Sequence, residues 1–392
     1  MHVTGSHDDM RMTALQQTSL KTSTARGANR PNIVAFAGRH NMPRIGMGTM
    51  ALAIEGRPDR ETAIGTIHAA LDAGVRYLDT AWSYYLPTAP GADGTGVPAD
   101  FGYGERLVHD ALASWDGPRD EVLIATKTGY RRTISANAGA DVASDRRRTS
   151  YHAGVRTSFA DAEDADGLEE TVERTGVVSP AASHEMTQPA PAARQRLQAA
   201  GSQYGWMADS RPETMIRDAK ESVQRLGVDE LDLLYSHGPD PVVPYEDQIG
   251  ALKTLLDEGV IRYAGISRVS NEQIDVARSI LGDKLIVVQN QFSPSHPDPE
   301  QTMAHCAQLG LDFVCWSPLG GFLDPFDQRA YDPFRTVAAA RGVSYQRVVL
   351  AWELTRYDRL FTIPSARNPH EINDSFAALD LHLTPEELAV LG

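Results

Sequence analysis

Short apolar runs alternate with longer amphipathic stretches along most of the chain. The runs Val287–Val288 and Phe313–Trp316 are apolar at every position, which is typical of strands buried on both faces. The predicted strands are Ile45–Met50, Arg76–Ala81, Val122–Lys127, Leu231–His237, Tyr263–Ser267, Ile286–Phe292, Phe313–Leu319 and Phe361–Ala366. The predicted helices between them include Asp59–Ala73, Gly104–Ser114, Pro212–Leu226, Tyr245–Glu258 and Asn271–Leu281. Eight β–α alternations indicate an α/β protein, either a closed (β/α)8 TIM barrel or a doubly wound sheet, and the count of eight favours the barrel.

Three segments depart from this alternation. Residues 1–31 are rich in Ser, Thr, Arg and Gln without an apolar signal core, which predicts a disordered leader rather than a secretory signal. Tyr85–Phe101 is rich in Gly and Pro and is predicted to be a loop after the second strand. Residues 131–206 show no sustained apolar period and are predicted to form a flexible insertion after the third strand. The remainder of residues 32–392 is then one barrel domain.

The insertion allows two interpretations. It is either disordered decoration, or a lid over the barrel mouth whose aromatic anchors would be Tyr151, Phe159, Tyr204 and Trp206. Its basic runs, Arg131–Arg132 and Arg146–Arg148, are balanced by acidic residues at Asp161–Asp166, which indicates a solvated segment rather than a nucleic-acid site.

Charge and cysteine content narrow the classes of function. The 392 residues carry a formal net charge of −15, which argues against nucleic acid and anionic membranes as partners. No apolar run is long enough to predict a membrane span. The two cysteines, Cys306 and Cys315, are expected to be buried thiols, which fits a reducing, cytoplasmic location. No metal site is predicted, because His296 and His305 lack partners at ligand spacing.

Four polar residues fall at or just beyond predicted strand ends: Asp79, Tyr84, Lys127 and His237. In a parallel barrel these ends surround the active site. Hydride addition to a carbonyl develops negative charge on oxygen and needs a proton donor, a role that suits a tyrosine whose pKa is lowered by an ammonium group. A carboxylate beside the ammonium would keep it charged, and His237 would orient the substrate oxygen. Each residue taken singly also has a structural interpretation, as a turn cap, a surface lysine, a packed aromatic or a core histidine.

Nine ordered motifs give the chain a resemblance to the aldo-keto reductase family over residues 32–392, the insertion excluded. They are Ile45–Met50, Gly74–Tyr84, Tyr103–Leu107, Val122–Lys127, Ser222–Gly227, Leu231–His237, Gly259–Ser267, Trp316–Gly320 and Ile363–Pro369. The resemblance implies a (β/α)8 barrel and an NADP(H)-dependent oxidoreductase that reduces an aldehyde or ketone, or oxidises the alcohol. It also implies that Tyr84 is the general acid/base, with Asp79, Lys127 and His237 as its partners.

The resemblance further implies a cofactor site for NADP, with NAD possible. Ser267 and Gln289 would hold the nicotinamide carboxamide and Phe292 would stack on the ring, whereas Arg268 stands where an asparagine is common in the family. The positions implied for the rest of the cofactor are Ser317 and Leu319 at the pyrophosphate, Ser365 and Arg367 at the 2′-phosphate, and Gly48, Thr49, Asp79 and Glu371. No Gly-x-Gly-x-x-Gly follows the first strand, so a Rossmann site is not expected.

Two other functions stay open at this point. One is a cofactor-sensing regulatory subunit similar to the β subunits of potassium channels, and the other is a cofactor-assisted sugar isomerase or lyase. As a reductase, the protein would act on a small carbonyl or alcohol such as a pyridoxal-like aldehyde, an aldose or a keto-sugar. The sequence leaves the oligomeric state open.

Overall fold

The computed structural model describes residues 32–54, 56–86, 100–132, 206–298, 301–320 and 327–392. Its strands are β1 (Ile33–Phe36), β2 (Arg39–Pro43), β3 (Met47–Gly48), β4 (Tyr77–Asp79), β5 (Leu123–Thr128), β6 (Tyr130–Arg132), β7 (Trp206–Ala208), β8 (Leu231–Ser236), β9 (Ile261–Ser267), β10 (Leu285–Gln291), β11 (Asp312–Trp316) and β12 (Leu360–Thr362). Its α-helices are α1 (Arg60–Ala73), α2 (Tyr103–Ala113), α3 (Pro212–Leu226), α4 (Tyr245–Asp257), α5 (Asn271–Leu281), α6 (Thr302–Leu309), α7 (Asp332–Arg341), α8 (Tyr345–Glu353), α9 (Pro369–Phe376) and α10 (Pro385–Leu391).

Eight strands form one parallel sheet in the order β3-β4-β5-β8-β9-β10-β11-β12. Parallel bridges from Ile45 to Thr362 and from Gly48 to Ser365 join its first and last strands. The sheet is therefore closed, and the fold is the (β/α)8 barrel rather than the doubly wound sheet. All eight predicted strands are confirmed, although several are shorter than predicted because hydrogen-bonded pairing ends before the apolar run does.

Successive side chains along the barrel strands point alternately into the barrel and out toward the helices, and they form two apolar layers. Residues at every second position, such as Leu123 and Ala125 of β5 and Leu233 and Tyr235 of β8, fill the barrel interior. Their neighbours pack outward against the helices in the larger cluster. Because the strand period is two, the next inward position after Ala125 is that of Lys127.

A hairpin that the sequence analysis missed covers the N-terminal end of the barrel. β1 and β2 pair through a two-residue turn at Ala37 and Gly38, both with positive φ, as the right-handed twist of a tight hairpin favours. The ring of Phe36 lies 4.4 Å from that of Phe361 and packs against the interior cluster. This end of the barrel is thus filled with apolar side chains.

A second unpredicted element lies at the C-terminal end of the barrel strands. Strands β6 and β7 form an antiparallel ribbon, in which Arg131 pairs with Met207 and Arg132 with Trp206. Arg131 and Arg132 are buried rather than solvated. Their assignment, with Trp206, to a flexible insertion is therefore wrong, because cross-strand hydrogen bonds and buried contacts hold them.

The remaining sequence predictions concern the leader, the insertion, the cysteines and membrane-spanning helices. The leader at residues 1–31 and the insertion anchors Tyr151, Phe159 and Tyr204 lie outside the described residues. Cys306 in α6 and Cys315 in β11 are confirmed as buried free thiols. None of the helices in the described part of the chain is long and apolar enough to cross a membrane.

Candidate active site

The four residues singled out at strand ends come together at the C-terminal mouth of the barrel. Asp79 ends β4, Lys127 is the second-last residue of β5, and His237 directly follows β8. Tyr84 lies in the loop after β4, and all four are buried. Alternation explains the convergence, since Asp79, Lys127 and His237 occupy inward positions of neighbouring strands.

Lys127 is the centre of this group. Its ammonium forms a buried ion pair with Oδ1 of Asp79 and donates to the carbonyl oxygen of Thr80 at 2.9 Å. The distance from Nζ to the hydroxyl oxygen of Tyr84 is 3.5 Å. Asp79 also accepts from Tyr77, at 3.2 Å from the phenol oxygen. The carboxylate is thus held by several donors, and the ammonium points at the phenol.

Histidine 237 forms the other wall of the site. Its ring centroid lies 5.9 Å from that of Tyr84 and 5.0 Å from that of Tyr130 in the ribbon. Trp206, from the opposite strand of the ribbon, lies 6.0 Å from His237 and 6.1 Å from Tyr84. Nδ1 of His237 is 3.5 Å from Oγ of Ser83. The ribbon therefore supplies two aromatic rings to the mouth, a contribution that the sequence analysis assigned only in part, through Trp206.

Burial and neighbouring charges together shift the pKa values of these groups. Burial raises the pKa of Tyr84 above the ordinary value, and the lowering effect of Lys127 is smaller. The expected net lowering is therefore wrong, although its named cause acts. Burial lowers the pKa of Lys127, but Asp79 and Tyr84 outweigh it and the pKa is raised. Burial, with Lys127 and Arg268 nearby, holds the pKa of His237 well below its usual range.

The inward positions of β9 and β10 continue the polar mouth. Ser267 ends β9 and is buried, and Gln289 lies beside it in register. The side-chain amide of Gln289 donates to Oδ2 of Asp79 at 2.9 Å, so it belongs to the same network as Lys127. Gln291 is the next inward residue, and its Nε2 is buried without an acceptor in the residues described.

The structure does not bring Phe292 to the mouth. Three positions after Gln289, it faces outward, where its ring stacks on Trp352 of α8 at 5.4 Å with planes 4° apart. The interpretation of Phe292 as the stacking aromatic is thus corrected by strand alternation. Trp316, at the end of β11, packs against the interior cluster and is the aromatic residue at the inner edge of the mouth. Alternation counted from Gln289 would have found the error.

The other residues of the expected cofactor set lie around the seam where the barrel closes. A Cβ on Gly48 would lie 2.9 Å from the carbonyl oxygen of Ile363 and 3.1 Å from Oγ of Ser365, so the seam requires glycine there. Thr49 is fully buried and its hydroxyl donates to the carbonyl oxygen of Asp79 at 3.1 Å. Thr49 therefore fixes the backbone below the mouth and exposes no surface to a ligand.

The start of α9 carries the last of these residues. Asn368 caps the helix by accepting from the backbone N–H of Glu371 at 3.0 Å. The Glu371 carboxylate accepts from the backbone N–H of Arg367 at 2.8 Å. Ser365 is exposed beside them.

The loops after β9 and β11 have an unusual backbone. Arg268 and Ser317 have φ of 59° and 48°, in the left-handed region that residues other than glycine rarely adopt. Leu319 follows Ser317 in a turn closed by Gly320, whose N–H donates to the carbonyl oxygen of Ser317. Residues with strained backbone conformations are often found at functional sites, and Arg268 and Ser317 both flank the mouth.

The chain is similar in sequence to proteins of one known family. The profile of the Aldo/keto reductase family matches residues 44–163 and 192–391. The chain belongs to this family. It is 27% identical to pyridoxine 4-dehydrogenase of Escherichia coli (strain K12) over 365 residues, covering 90% of this chain and 95% of that protein. It is 26% identical to 6-dehydroglucose reductase of Novosphingobium aromaticivorans over 343 residues, 86% of each protein.

Solved structures support the fold of this aldo/keto reductase. A Klebsiella pneumoniae aldo-keto reductase in complex with NADPH superposes with a TM-score of 0.59 at 22% sequence identity, over 92% of this chain and 93% of that one. Membership of the family supports an oxidoreductase. Within the described residues there is no group of three or more His, Cys, Asp or Glu side chains placed to hold a metal ion.

Gly104, in the motif Tyr103–Leu107, positions Tyr84 in this aldo/keto reductase. Its N–H donates to the carbonyl oxygen of Tyr84 at 2.9 Å, and an added Cβ would lie 2.9 Å from Cβ of Tyr84. We expect Gly104→Ala to displace the phenol and lower kcat by roughly 10- to 100-fold, because small misplacements of a reacting group carry losses of that order.

The control for this prediction is Gly65→Ala in α1, where an added Cβ meets nothing within 4 Å. That variant should keep the parent kcat and gain stability of about 0.5–1 kcal/mol, since alanine favours a helix. Steady-state kinetics and thermal unfolding of both variants test the prediction. Equal kcat for the two alanine variants would show that the contact with Gly104 does not position Tyr84.

Proposed function

We propose that this protein is an NADP(H)-dependent oxidoreductase that reduces an aldehyde or ketone, or oxidises the corresponding alcohol, with Tyr84 as the proton donor in reduction. The observation that carries the proposal is the chain of contacts from Asp79 through the buried Lys127 ammonium to the Tyr84 hydroxyl at 3.5 Å. A phenol held against a buried ammonium at the mouth favours an enzyme over a cofactor-sensing subunit.

Proton transfer follows from this chain of contacts. As a carbonyl is reduced, charge develops on its oxygen and Tyr84 donates its proton to that oxygen. The Lys127 ammonium stabilises the phenolate left behind, and Asp79 keeps the ammonium charged in a buried site. In alcohol oxidation the same phenolate accepts the proton. Because burial raises the pKa of Tyr84, the donor stays protonated through the neutral range.

His237 acts as a neutral hydrogen-bonding group in this proposal. Its lowered pKa leaves the imidazole uncharged at neutral pH. One ring nitrogen lies near Ser83, and the other is then available to bind the substrate oxygen. The wall formed by Tyr130 and Trp206 closes this side of the mouth and limits water around the reacting oxygen.

The residues at the mouth fit a nicotinamide cofactor, which would supply the hydride when bound. The Nε2 of Gln291 and the Nε1 of Trp316 are buried donors without an acceptor in the described part of the chain. Trp316 offers its ring in place of Phe292, and Ser267 and Gln289 would hold the carboxamide. Support for NADP comes from the Klebsiella pneumoniae structure, which contains NADPH.

At the seam, Ser365 and Arg367 would bind the 2′-phosphate at the start of α9, where backbone N–H groups favour an anion. Ser317 and Leu319 would line the pyrophosphate, and Glu371 would hold the Arg367 backbone in place through the hydrogen bond described above. The names of the two relatives, a pyridoxine dehydrogenase and a dehydroglucose reductase, support a small carbonyl or alcohol as the substrate class.

The proposal is tested by incubating the protein with NADPH or NADH and a panel of small aldehydes, ketones and sugars, and following the loss of reduced-cofactor absorbance. Reduction of at least one carbonyl with NADPH is the expected result. No turnover of any carbonyl, and no oxidation of the matching alcohols with NADP⁺, would contradict it.

Cofactor choice gives a separate prediction. We expect the protein to bind NADPH more tightly than NADH, and Arg367→Ala to reduce that preference by about 10- to 150-fold, the equivalent of about 1.5–3 kcal/mol for a charged hydrogen bond. Arg335→Ala in α7 removes the same charge away from the seam and should leave the ratio unchanged. Fluorescence titration of the two cofactors measures it, and equal Kd values in the parent protein would refute the assignment.

A further inference from the structure

Arg268 lies at the mouth of an acidic protein, and none of the described carboxylates pairs with it. The chain has 52 acidic and 37 basic residues. Arg268 nevertheless makes neither an ion pair nor a side-chain hydrogen bond within the residues that the structure describes, and its neighbour Lys127 already uses the carboxylate of Asp79. Within this part of the chain, no carboxylate neutralises the positive charge of Arg268 at the mouth.

The backbone directs this side chain over the mouth. Ser267 is the last inward residue of β9, so an extended Arg268 would point outward. The left-handed φ of 59° breaks that alternation. Its guanidinium carbon lies 4.8 Å from the ring centroid of Trp316 and 5.5 Å from that of Tyr130. An added Cβ on Gly238 would lie 3.2 Å from Cδ of Arg268, so glycine leaves room for the stem.

Two aromatic rings thus hold the guanidinium between the cofactor side and the substrate side of the mouth. Trp316 belongs to the inner face of the barrel, whereas Tyr130 packs against His237. A planar guanidinium resting on rings keeps its N–H groups free to bind a carboxylate in a bidentate manner. Its charge is close enough to influence the pKa of both Tyr84 and His237.

We infer that Arg268 determines specificity by binding a carboxylate group on the carbonyl substrate. This inference rests on the proposed function and names the substrate class: small carbonyl compounds that carry a negative charge within reach of the mouth. The same anion-binding chemistry could instead serve the pyrophosphate of the cofactor, so the experiment separates the two sources.

The first measurement compares two four-carbon aldehydes with NADPH: succinic semialdehyde, which carries a carboxylate, and butanal, which is neutral. The parent protein is expected to prefer succinic semialdehyde in kcat/KM. Arg268→Gln should reduce that preference, the ratio of kcat/KM for the two aldehydes, by about 10- to 100-fold, as expected for loss of a charged hydrogen bond. Arg268→Lys should retain part of it. Arg262→Gln removes the same charge from the opposite end of β9, where Arg262 pairs with Glu230, and should change nothing.

The second measurement needs no turnover. Succinate is titrated into the protein with NADP⁺ and without it, and binding is followed by tryptophan fluorescence, since Trp316 and Trp206 lie at the mouth. The Kd for succinate is expected to rise at least 10-fold in Arg268→Gln and to stay constant in Arg262→Gln. The Kd for NADPH, titrated separately, is expected to equal the parent value in both variants.

Three results would overturn the inference. One is that Arg268→Gln shows the same preference between the two aldehydes as the parent protein. Another is that the Kd for succinate in Arg268→Gln equals that of the parent protein. The third is a weaker Kd for NADPH in Arg268→Gln with the charge preference intact, which would assign Arg268 to the cofactor pyrophosphate. If neither aldehyde nor any other carbonyl is reduced, the proposed function fails, and the succinate titration still decides whether Arg268 binds a carboxylate.

Discussion

Replacing Tyr84 by phenylalanine is expected to lower kcat for carbonyl reduction by about 100-fold or more while the Kd for NADPH stays close to the parent value. Phenylalanine keeps the ring that packs beside Trp206 and His237 but has no proton to donate. Single-turnover kinetics and fluorescence titration with NADPH measure the two quantities. In the parent protein, reduction should persist into the alkaline range, because burial raises the pKa of Tyr84 and the phenol keeps its proton there.

Tyr245→Phe is the matched control. The Tyr245 hydroxyl is buried and has no hydrogen-bond partner in the residues described, so its removal breaks none of the described hydrogen bonds. Tyr245 begins α4 and is not one of the residues that form the mouth. That variant should keep the parent kcat. If Tyr84→Phe retains most of its activity on any carbonyl that the parent protein reduces, Tyr84 is not the proton donor.

Replacing Lys127 by methionine is expected to abolish measurable reduction and to destabilise the fold by about 3–5 kcal/mol. Removing one partner of a buried ion pair leaves the other charge uncompensated, and here that charge is the Asp79 carboxylate. The loss of the ammonium next to the Tyr84 hydroxyl also removes the stabilisation of the phenolate. Urea unfolding and steady-state kinetics measure the two effects.

The double variant Asp79→Asn/Lys127→Met separates stability from catalysis. It contains neither buried charge, so most of the lost stability should return, whereas kcat should stay at the level of Lys127→Met. Unchanged stability in Lys127→Met would mean that the buried pair does not behave as the structure indicates. Recovery of kcat in the double variant would remove the ammonium from the mechanism.

The sequence by itself determined the barrel and the four residues at its mouth. Strand positions follow from continuous apolar runs, since parallel strands covered on both sides are apolar throughout. Once eight strands are placed, their C-terminal ends must meet, and the period of two turns Asp79, Lys127 and His237 inward. The same rule applied from Gln289 would have excluded Phe292, which lies an odd number of positions along the same run.

Other features follow only from the tertiary structure, for physical reasons. The ribbon joins Arg132 to Trp206 across residues 133–205, and no local pattern specifies a pairing over such a separation. The net direction of the Tyr84 pKa shift depends on how completely the fold buries the phenol, which outweighs the neighbouring ammonium. Arg268 faces the mouth because its backbone is left-handed, and there its guanidinium packs on the rings of Trp316 and Tyr130, which come from two other strands. Strand period and residue chemistry are local and can be read from sequence, whereas burial and non-local contacts exist only once the barrel has closed.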